Sequence, residues 1–186
     1  MKILIASDIH GSAYYCRRLL EAWDRENPER ILLLGDLLYH GPRNDLPAEY
    51  NPKAVLAMLN ERKNSILCVR GNCDTEVDQM VLKFPILADY AWIATDECRI
   101  FATHGHVYNA ENLPLLRTGE ILLHGHTHVP AWEDHGGIRV FNPGSVSIPK
   151  GDSVHMYMML EDGVFTWKTL EGKLFHTERI RQDPNV

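Results

Sequence analysis

Three histidines alternate along the stretch ILLHGHTHVP, which spans residues 121–130. His124, His126 and His128 directly follow or end an apolar run, and the whole chain has only 10 histidines. Such a concentration of imidazoles is typical of a metal site, a pH-sensitive surface patch or a polar loop. Which of these applies depends on the ligands that the rest of the chain brings to the same place.

Other side chains able to bind metals follow apolar runs in the same way, and five strand ends are involved. The full set of candidate ligands is Asp8, His10, Asp36, Asn72, His104, His126 and His128. In an open parallel sheet, the loops at the carboxyl ends of the strands meet at one edge, where ligands bind. The sequence therefore predicts a metal site at this edge. Imidazole and oxygen ligands without thiolate suit Mn, Fe, Co, Ni or Zn better than Mg or Ca.

Each motif alone also has a structural explanation. Asp-x-His is common, Gly-Asp after a strand often forms a turn or a helix N-cap, and in GNCD the residue Asp74 would cap the following helix. The HGHTH motif alone would suit a polar loop. Because all five motifs end apolar runs, a shared metal site explains them better than five separate structural roles.

The elements that position these residues are predicted from the apolar runs. Runs without alternation suit strands that are covered on both faces, and they lie at 2–6, 30–34, 65–69, 99–103 and 120–124. Helices are predicted at 12–25, at 51–63 with an Asn-Pro start, and at 75–82. The alternation of strands and helices favours a parallel sheet with right-handed crossovers.

The second half of the chain is different, because strands and tight turns dominate after about residue 89. The turns at 161–163 and 171–172 separate three strand-like segments, which predicts a hairpin meander. The NPGS motif predicts a further turn. Two sheets packed face to face, with helices outside, accommodate both halves, and residues 1–186 are expected to form a single domain.

Composition excludes several classes of protein. Of the 186 residues, 45% are apolar and 24% charged, which is typical of a globular domain. A net charge of −6 argues against a long basic groove for a nucleic acid polymer. The apolar runs are too short for a secretory signal or a membrane span, so we expect no membrane partner. The cysteines form no CxxC pair, which suits reduced thiols, and we therefore expect a cytoplasmic protein. Disorder is expected only near residues 181–186.

The order of the motifs resembles the calcineurin-like metallophosphoesterase superfamily: Asp-x-His, Gly-Asp, Gly-Asn-x-Asp, His-Gly-His and Gly-His-x-His. The segments RGNCDTEVDQM and FNPGSVSIPKG extend the resemblance over nearly the whole chain except the C-terminal meander. The resemblance implies an α/β fold, the calcineurin-like αββα sandwich with two mixed β-sheets packed face to face. It also implies two divalent metal ions, with Mn²⁺ as the first choice.

The same resemblance implies how the ligands divide. One metal would be held by Asp8, His10 and His128, and the other by Asn72, His104 and His126. The carboxylate of Asp36 would bridge the two ions, which suits a group that can bind two cations at once.

Further site roles are expected around these ligands. Many relatives have histidine where Cys73 stands, so Cys73 is either a catalytic group or a small residue that fills space. Asp74 orients a catalytic group or caps the next helix. His106 is expected to contact the phosphate or to protonate the leaving group, while Arg43 and His40 are candidates for substrate binding or for an ordinary surface loop.

His124 is expected to be structural, because the family motif needs only the two later histidines. The function expected for the whole chain is hydrolysis of small organic phosphodiesters by a metal-bridging hydroxide, in the two-metal manner. A phosphomonoesterase remains an alternative, as does a non-catalytic scaffold of the same fold. The resemblance also suggests a homo-oligomer, either a dimer or a tetramer.

Overall fold

The computed structural model describes residues 1–180, so the expected disorder at 181–186 lies outside the described residues. Three helices and eleven strands follow one another along the chain. The helices are α1 (Ala13–Glu26), α2 (Pro52–Glu61) and α3 (Glu76–Val81). The strands are β1 (Lys2–Ala6), β2 (Arg30–Leu33), β3 (Ile66–Cys68), β4 (Tyr90–Ala94), β5 (Arg99–Thr103), β6 (Ile121–Leu123), β7 (Ala131–His135), β8 (Ile138–Asn142), β9 (Met156–Glu161), β10 (Val164–Thr169) and β11 (Leu174–Arg179).

The first sheet has six strands in the order β11-β10-β9-β1-β2-β3. Strands β1, β2 and β3 are parallel, as predicted, and α1 and α2 form the crossovers between them. Helix α1 begins after Ser12, whose side chain accepts a hydrogen bond from the N–H of Tyr15. Helix α2 begins after Asn51, which caps it in the same way, with Pro52 in the first turn.

The predicted meander completes this sheet. Strand β9 pairs antiparallel with β1, so that Lys2 lies opposite Glu161, and β10 and β11 follow through hairpins. Glu26 at the end of α1 connects this helix to strands β9 and β10 through hydrogen bonds. Its carboxylate accepts hydrogen bonds from the hydroxyl of Tyr157 at 2.7 Å and from Lys168 at 2.9 Å.

The second sheet has five strands in the order β4-β5-β6-β8-β7. Its central strands β5, β6 and β8 are parallel, and the edge strands β4 and β7 are antiparallel to their neighbours. Both sheets are therefore mixed. The loops that follow β5 and β6 carry three of the four predicted histidine ligands, His104, His126 and His128.

Alternate side chains of the central strands supply two cores. In β1, Leu4 and Ala6 pack against α1 and α2, whereas Ile3 and Ile5 face the second sheet. The outer face of the second sheet packs against an irregular segment that includes Tyr108 and Leu113, whereas α1 and α2 pack on the outer face of the first sheet. The predicted architecture of two face-to-face mixed sheets with helices outside is confirmed.

Of the two alternatives given for Asp74, the helix cap is wrong. Helix α3 is capped by Thr75, which forms a reciprocal capping box with Asp78, and Asp74 does not cap it. Within the described part of the chain, none of the helices is long and apolar enough to cross a membrane.

Candidate metal centre

The loops that follow five strands bring all seven predicted ligands to one edge of the two sheets. Each sheet supplies part of the set, because Asp8, His10, Asp36 and Asn72 follow strands of the first sheet. The three remaining histidines follow strands of the second. The ligand atoms form two adjacent groups.

The first group contains Asp8, His10 and His128. The Nε2 atoms of the two histidines are 3.1 Å apart, and Oδ1 of Asp8 lies 3.2 Å from Nε2 of His128 and 3.5 Å from Nε2 of His10. All three residues are buried. Their ligand atoms therefore point at a common position.

The second group contains Asn72, His104 and His126. Nε2 of His104 lies 3.0 Å from Oδ1 of Asn72 and 3.2 Å from Nδ1 of His126. Asp36 stands between the two groups, since its Oδ2 is 3.4 Å from Nε2 of His104 and 3.7 Å from Nε2 of His10. The other oxygen of Asp36 accepts a hydrogen bond from the N–H of Cys73 at 2.8 Å.

Backbone carbonyls set the orientation of three of the four histidine rings. Nδ1 of His10 lies 2.8 Å from the carbonyl of Tyr39, Nδ1 of His104 lies 2.6 Å from that of Leu34, and Nδ1 of His128 lies 2.6 Å from that of Ile148. A carbonyl only accepts, so each Nδ1 carries a proton and each Nε2 faces the cluster, where it can bind a metal ion once it has no proton of its own.

This arrangement fits a cation. Lone pairs of Nε2 atoms that face each other repel unless a proton or a metal ion lies between them. Oδ1 of Asp8 is buried and has no hydrogen-bond partner among residues 1–180, which leaves it available as a ligand. The donor set is nitrogen and oxygen, so the described residues fit a divalent ion of the Mn-to-Zn series.

The pKa values reflect the same close approach. Burial opposes the charged form of Asp8, but the imidazoles of His10 and His128 hold its pKa well below its usual range. Burial lowers the pKa of His104, yet the Asp36 and Asp8 carboxylates outweigh it and raise that pKa to about 9. Burial and the charge on His104 lower the pKa of His126 to about 4. A bound cation would take over the role of the His104 proton.

The ligand loops have an unusual backbone. Non-glycine residues with positive φ number eight among residues 1–180, and five of them are predicted ligands: Asp8, His10, Asp36, His126 and His128. Their φ values lie between 50° and 66°, in the left-handed region that side chains with a Cβ rarely adopt. Such conformations persist where the surrounding structure enforces them, and they cluster at functional sites.

The position of Asp74 agrees with the first of its two predicted roles, that of orienting a group of the site. It is 2% exposed and lies beneath the cluster, where its carboxylate accepts hydrogen bonds from the N–H groups of Asp36, Leu37 and Gly71 at 2.8–2.9 Å. Burial raises the pKa of this carboxyl, against the effect of those bonds. Asp74 therefore positions the backbone of Asp36 and is not a group that touches substrate.

The NPGSVS segment has a role that the sequence did not reveal. The hydroxyls of Ser145 and Ser147 each donate to the carbonyl of Asp8 at 3.0 Å, and the side-chain amide of Asn142 donates to the carbonyl of Gly125 at 2.8 Å. The segment thus fixes the loops that carry Asp8 and the two later histidines. The signal available in the sequence was a polar motif directly after an apolar run.

A cleft opens over the cluster, and its enclosed part is only about 50 Å³. Hollows of about 310 and 500 Å³ lie elsewhere, but neither is lined by the candidate ligands, so ligand chemistry and not size identifies the site.

Of the further predicted residues, Cys73 and Arg43 line the cleft. Burial and the Asp36 carboxylate raise the pKa of Cys73 to about 12, so its side chain is a neutral thiol. Lys150, which was not predicted, lines the cleft as well.

The other predicted residues lie around the cleft. His106 is exposed beside the second group, with its ring centre 5.5 Å from that of His104, and burial together with the charge of His104 lowers its pKa. The ring of His40 packs edge-on against Tyr39 and Tyr50, and its Nδ1 is buried without a partner among residues 1–180. Contact of His40 with substrate is therefore not supported.

His124 lies under the ligand loops. Its ring is buried, and its Nδ1 lies 3.0 Å from the carbonyl of Gly125 and 3.4 Å from the amide of Asn142. Burial lowers its pKa, so the ring is neutral. This position agrees with the structural role expected for it.

Comparisons with known proteins agree with this geometry. The family model of the calcineurin-like phosphoesterase superfamily domain matches residues 1–162. The chain is 48% identical over 166 residues to Phosphodiesterase YfcE of Escherichia coli K12, which covers 89% of this chain and 90% of that protein. The solved structure of the E. coli YfcE phosphoesterase superposes with a TM-score of 0.94 at 45% identity, covering 97% of this chain and all of that one.

A more distant structure shares only the fold. Vps29 of Entamoeba histolytica, solved with Zn²⁺, superposes with a TM-score of 0.64 at 20% identity, covering 97% of this chain. The family match and the identity to YfcE confirm the resemblance inferred from the motifs. The chain belongs to the calcineurin-like phosphoesterase superfamily.

Proposed function

We propose that the protein is a phosphodiesterase that uses two divalent metal ions, with Mn²⁺ as the preferred ion. The observation that carries the proposal is the pair of ligand groups with Asp36 between them, since a carboxylate oxygen lies within 3.7 Å of one histidine from each group. Similarity to a phosphodiesterase over 89% of the chain supports the reaction class. When bound, two such ions acidify water and neutralise charge on phosphoryl oxygens.

The residues of this chain contribute orientation and hydrogen bonding. Carbonyl contacts hold three imidazoles in the tautomer that presents Nε2, which preorganises the site before an ion arrives. The neutral thiol of Cys73 is a hydrogen-bond donor rather than a nucleophile, because its pKa is about 12. His106, at the edge of the cleft, remains a candidate to protonate the leaving alcohol.

A small substrate is the best fit to the cleft. Since the enclosed part is about 50 Å³, it suits the phosphoryl group itself, and the two ester substituents extend along the rim. The net charge of −6 disfavours a long nucleic acid as substrate. The predicted homo-oligomer and cytoplasmic location stay predictions.

The test is hydrolysis of bis(para-nitrophenyl) phosphate beside para-nitrophenyl phosphate. Metal-stripped protein would receive Mn²⁺, Mg²⁺, Zn²⁺ or no ion. We expect turnover that requires Mn²⁺ and favours the diester. Asp36→Asn should abolish it, while Asp45→Asn, a change of the same chemistry at an exposed loop position, should not.

Other outcomes would change the assignment. Preference for the monoester would make the protein a phosphatase. Absence of turnover with every ion, despite bound metal, would favour a non-catalytic scaffold of the same fold.

A further inference from the structure

Two cations stand at the rim of the cleft. Arg43 and Lys150 line it together with the ligand side chains, and Asp36 is the one carboxylate among the described lining residues. Neither cation is among the ion pairs formed within residues 1–180. In a chain of net charge −6, this is a local concentration of unneutralised positive charge.

The backbone fixes both positions. Each cation directly follows a proline, in Pro42-Arg43 and in Pro149-Lys150, and proline restricts the backbone of the loop. The N–H of Lys150 donates to the carbonyl of the ligand His128 at 3.2 Å. The loop of Arg43 is closed by Asn44, whose side-chain amide donates to the carbonyl of His40 at 2.8 Å.

The two loops come from different sheets, because residues 41–44 follow β2 and residues 148–150 follow β8. The cations thus approach the cleft on separate loops while the phosphoryl group occupies its enclosed part. A phosphodiester carries a single negative charge, which two metal ions bound by the ligand groups would neutralise. The rim cations therefore have no partner in a diester whose substituents are neutral.

We propose that Arg43 and Lys150 select phosphodiesters in which one substituent carries a second anionic group, a carboxylate or a phosphate, a few bonds from the scissile phosphorus. This inference rests on the proposed function and specifies its substrate class. Guanidinium and ammonium groups both bind these anions, Arg through two parallel hydrogen bonds and Lys as a compact charge. Both side chains are exposed, so each contact is worth roughly a two- to fivefold gain in affinity.

The test compares three para-nitrophenyl phosphodiesters whose second substituent is butyl, carboxypropyl or phosphonooxypropyl. Release of nitrophenolate reports cleavage of the diester alone. We expect the two anionic diesters to have a kcat/KM about tenfold higher than the butyl diester, mainly through KM, with a ratio that falls as salt is added. Comparison of the carboxypropyl diester with the phosphonooxypropyl diester shows whether the protein prefers a carboxylate or a phosphate as the second anion.

Matched variants identify the cause. The ratio of kcat/KM for the anionic diesters to that for the butyl diester should fall about threefold in Arg43→Gln and in Lys150→Gln. In the double variant it should be close to one. Lys150→Arg, which keeps the charge, should retain the wild-type ratio. Lys53→Gln, which removes an exposed charge from α2, should leave the ratio unchanged. Equal kcat/KM for the three diesters in the wild-type protein would overturn the inference while leaving the phosphodiesterase in place.

A binding measurement separates the two proposals if no diester is cleaved. Calorimetry on Mn²⁺-loaded protein would compare carboxyethylphosphonate with propylphosphonate, which differ only in the terminal anion. Tighter binding of the carboxylate, lost in the double variant, would support the rim site although the proposed reaction had failed. Equal affinities would overturn the inference.

Discussion

Replacing Asp74 by asparagine tests whether this buried carboxylate supports the ligand loops. Oδ2 of Asp74 accepts from the N–H groups of Asp36 and Gly71, and Oδ1 accepts from that of Leu37. An asparagine oxygen can replace only one of the two oxygens. If it keeps the bonds to Asp36 and Gly71, its NH₂ group faces the N–H of Leu37, and two donors then oppose each other.

The magnitude follows from these contacts. Loss of a hydrogen bond to a charged acceptor costs about 1.5–3 kcal/mol, and the buried N–H of Leu37 is left without a partner. Because burial raises the pKa of Asp74, removing its charge recovers part of the desolvation energy. We therefore expect Asp74→Asn to lower the free energy of unfolding by about 2 kcal/mol, which lowers the Tm of a chain of this size by roughly 4–8 °C.

Urea unfolding of metal-free protein measures this change, and calorimetric titration with Mn²⁺ measures the accompanying loss of affinity. Asp74→Ala, which removes all three bonds, should cost more than Asp74→Asn. Asp45→Asn, on the surface, should stay within about 0.5 kcal/mol of the wild type. An Asp74→Asn protein as stable as the wild type, with the same Mn²⁺ affinity, would refute the positioning role.

Three further predictions concern other parts of the structure. Saturating Mn²⁺ at about 100 times Kd should stabilise the wild type and His124→Ala by about 2.7 kcal/mol per occupied site in thermal unfolding, and His128→Ala, which loses a ligand of one site, by less. Equal stabilisation of both variants would contradict the ligand assignment. Glu26→Gln should cost about 1–2 kcal/mol at pH 7. Burial opposes the charged form of Glu26, but the hydrogen bonds from Lys168 and Tyr157 outweigh it and hold the pKa of this carboxyl below 4.5. The difference in unfolding free energy between the wild type and Glu26→Gln should therefore persist above pH 4.5 and vanish as pH falls through the folded pKa. A difference that does not change with pH would exclude the ion pair as its source. Gly35→Ala should lower the free energy of unfolding by over about 3 kcal/mol, because its Cβ would overlap the backbone at Gly71. Gly119→Ala, with open space around it, should lower it only by the roughly 1–2 kcal/mol that a positive φ costs. Equal losses of stability would rule out close packing at Gly35.

Much of the fold was predictable because local pattern and topology agree. The apolar runs of β1, β2 and β3 alternate with capped helices, and such units form parallel sheets. The edge strands β4 and β7 were missed because both are largely exposed: the apolar residues of β4 give no alternation with polar ones, and three of the five residues of β7 are charged or histidine. Pairing of β9 with β1 joins segments about 155 residues apart, and no local signal specifies it.

The metal ligands could be predicted from the sequence, whereas the contacts that hold the ligand loops in place could not. The seven candidate ligands have types and positions that indicate metal chemistry. The cap assigned to Asp74 was wrong because a Gly-Asn-Cys-Asp turn suits either a cap or a loop clamp, and only the fold brings Leu37 to its carboxylate. The sequence left His40 open between substrate binding and a loop role, and only the fold places its ring against Tyr39 and Tyr50. Lys150 lies in a motif that predicted only a turn.

The pairing of β1 with β9 also has a consequence for biosynthesis. Asp8 is synthesised long before Ser145 and Ser147, yet their hydroxyls hold its carbonyl, and the strand that precedes Asp8 pairs on one side with residues 158–161. A nascent chain that stops before this point has an apolar first strand with one unpaired edge and an incomplete ligand cluster. The metal centre is therefore completed only after residues 145–161 have been synthesised, and chains that end before them remain exposed to chaperones and proteases.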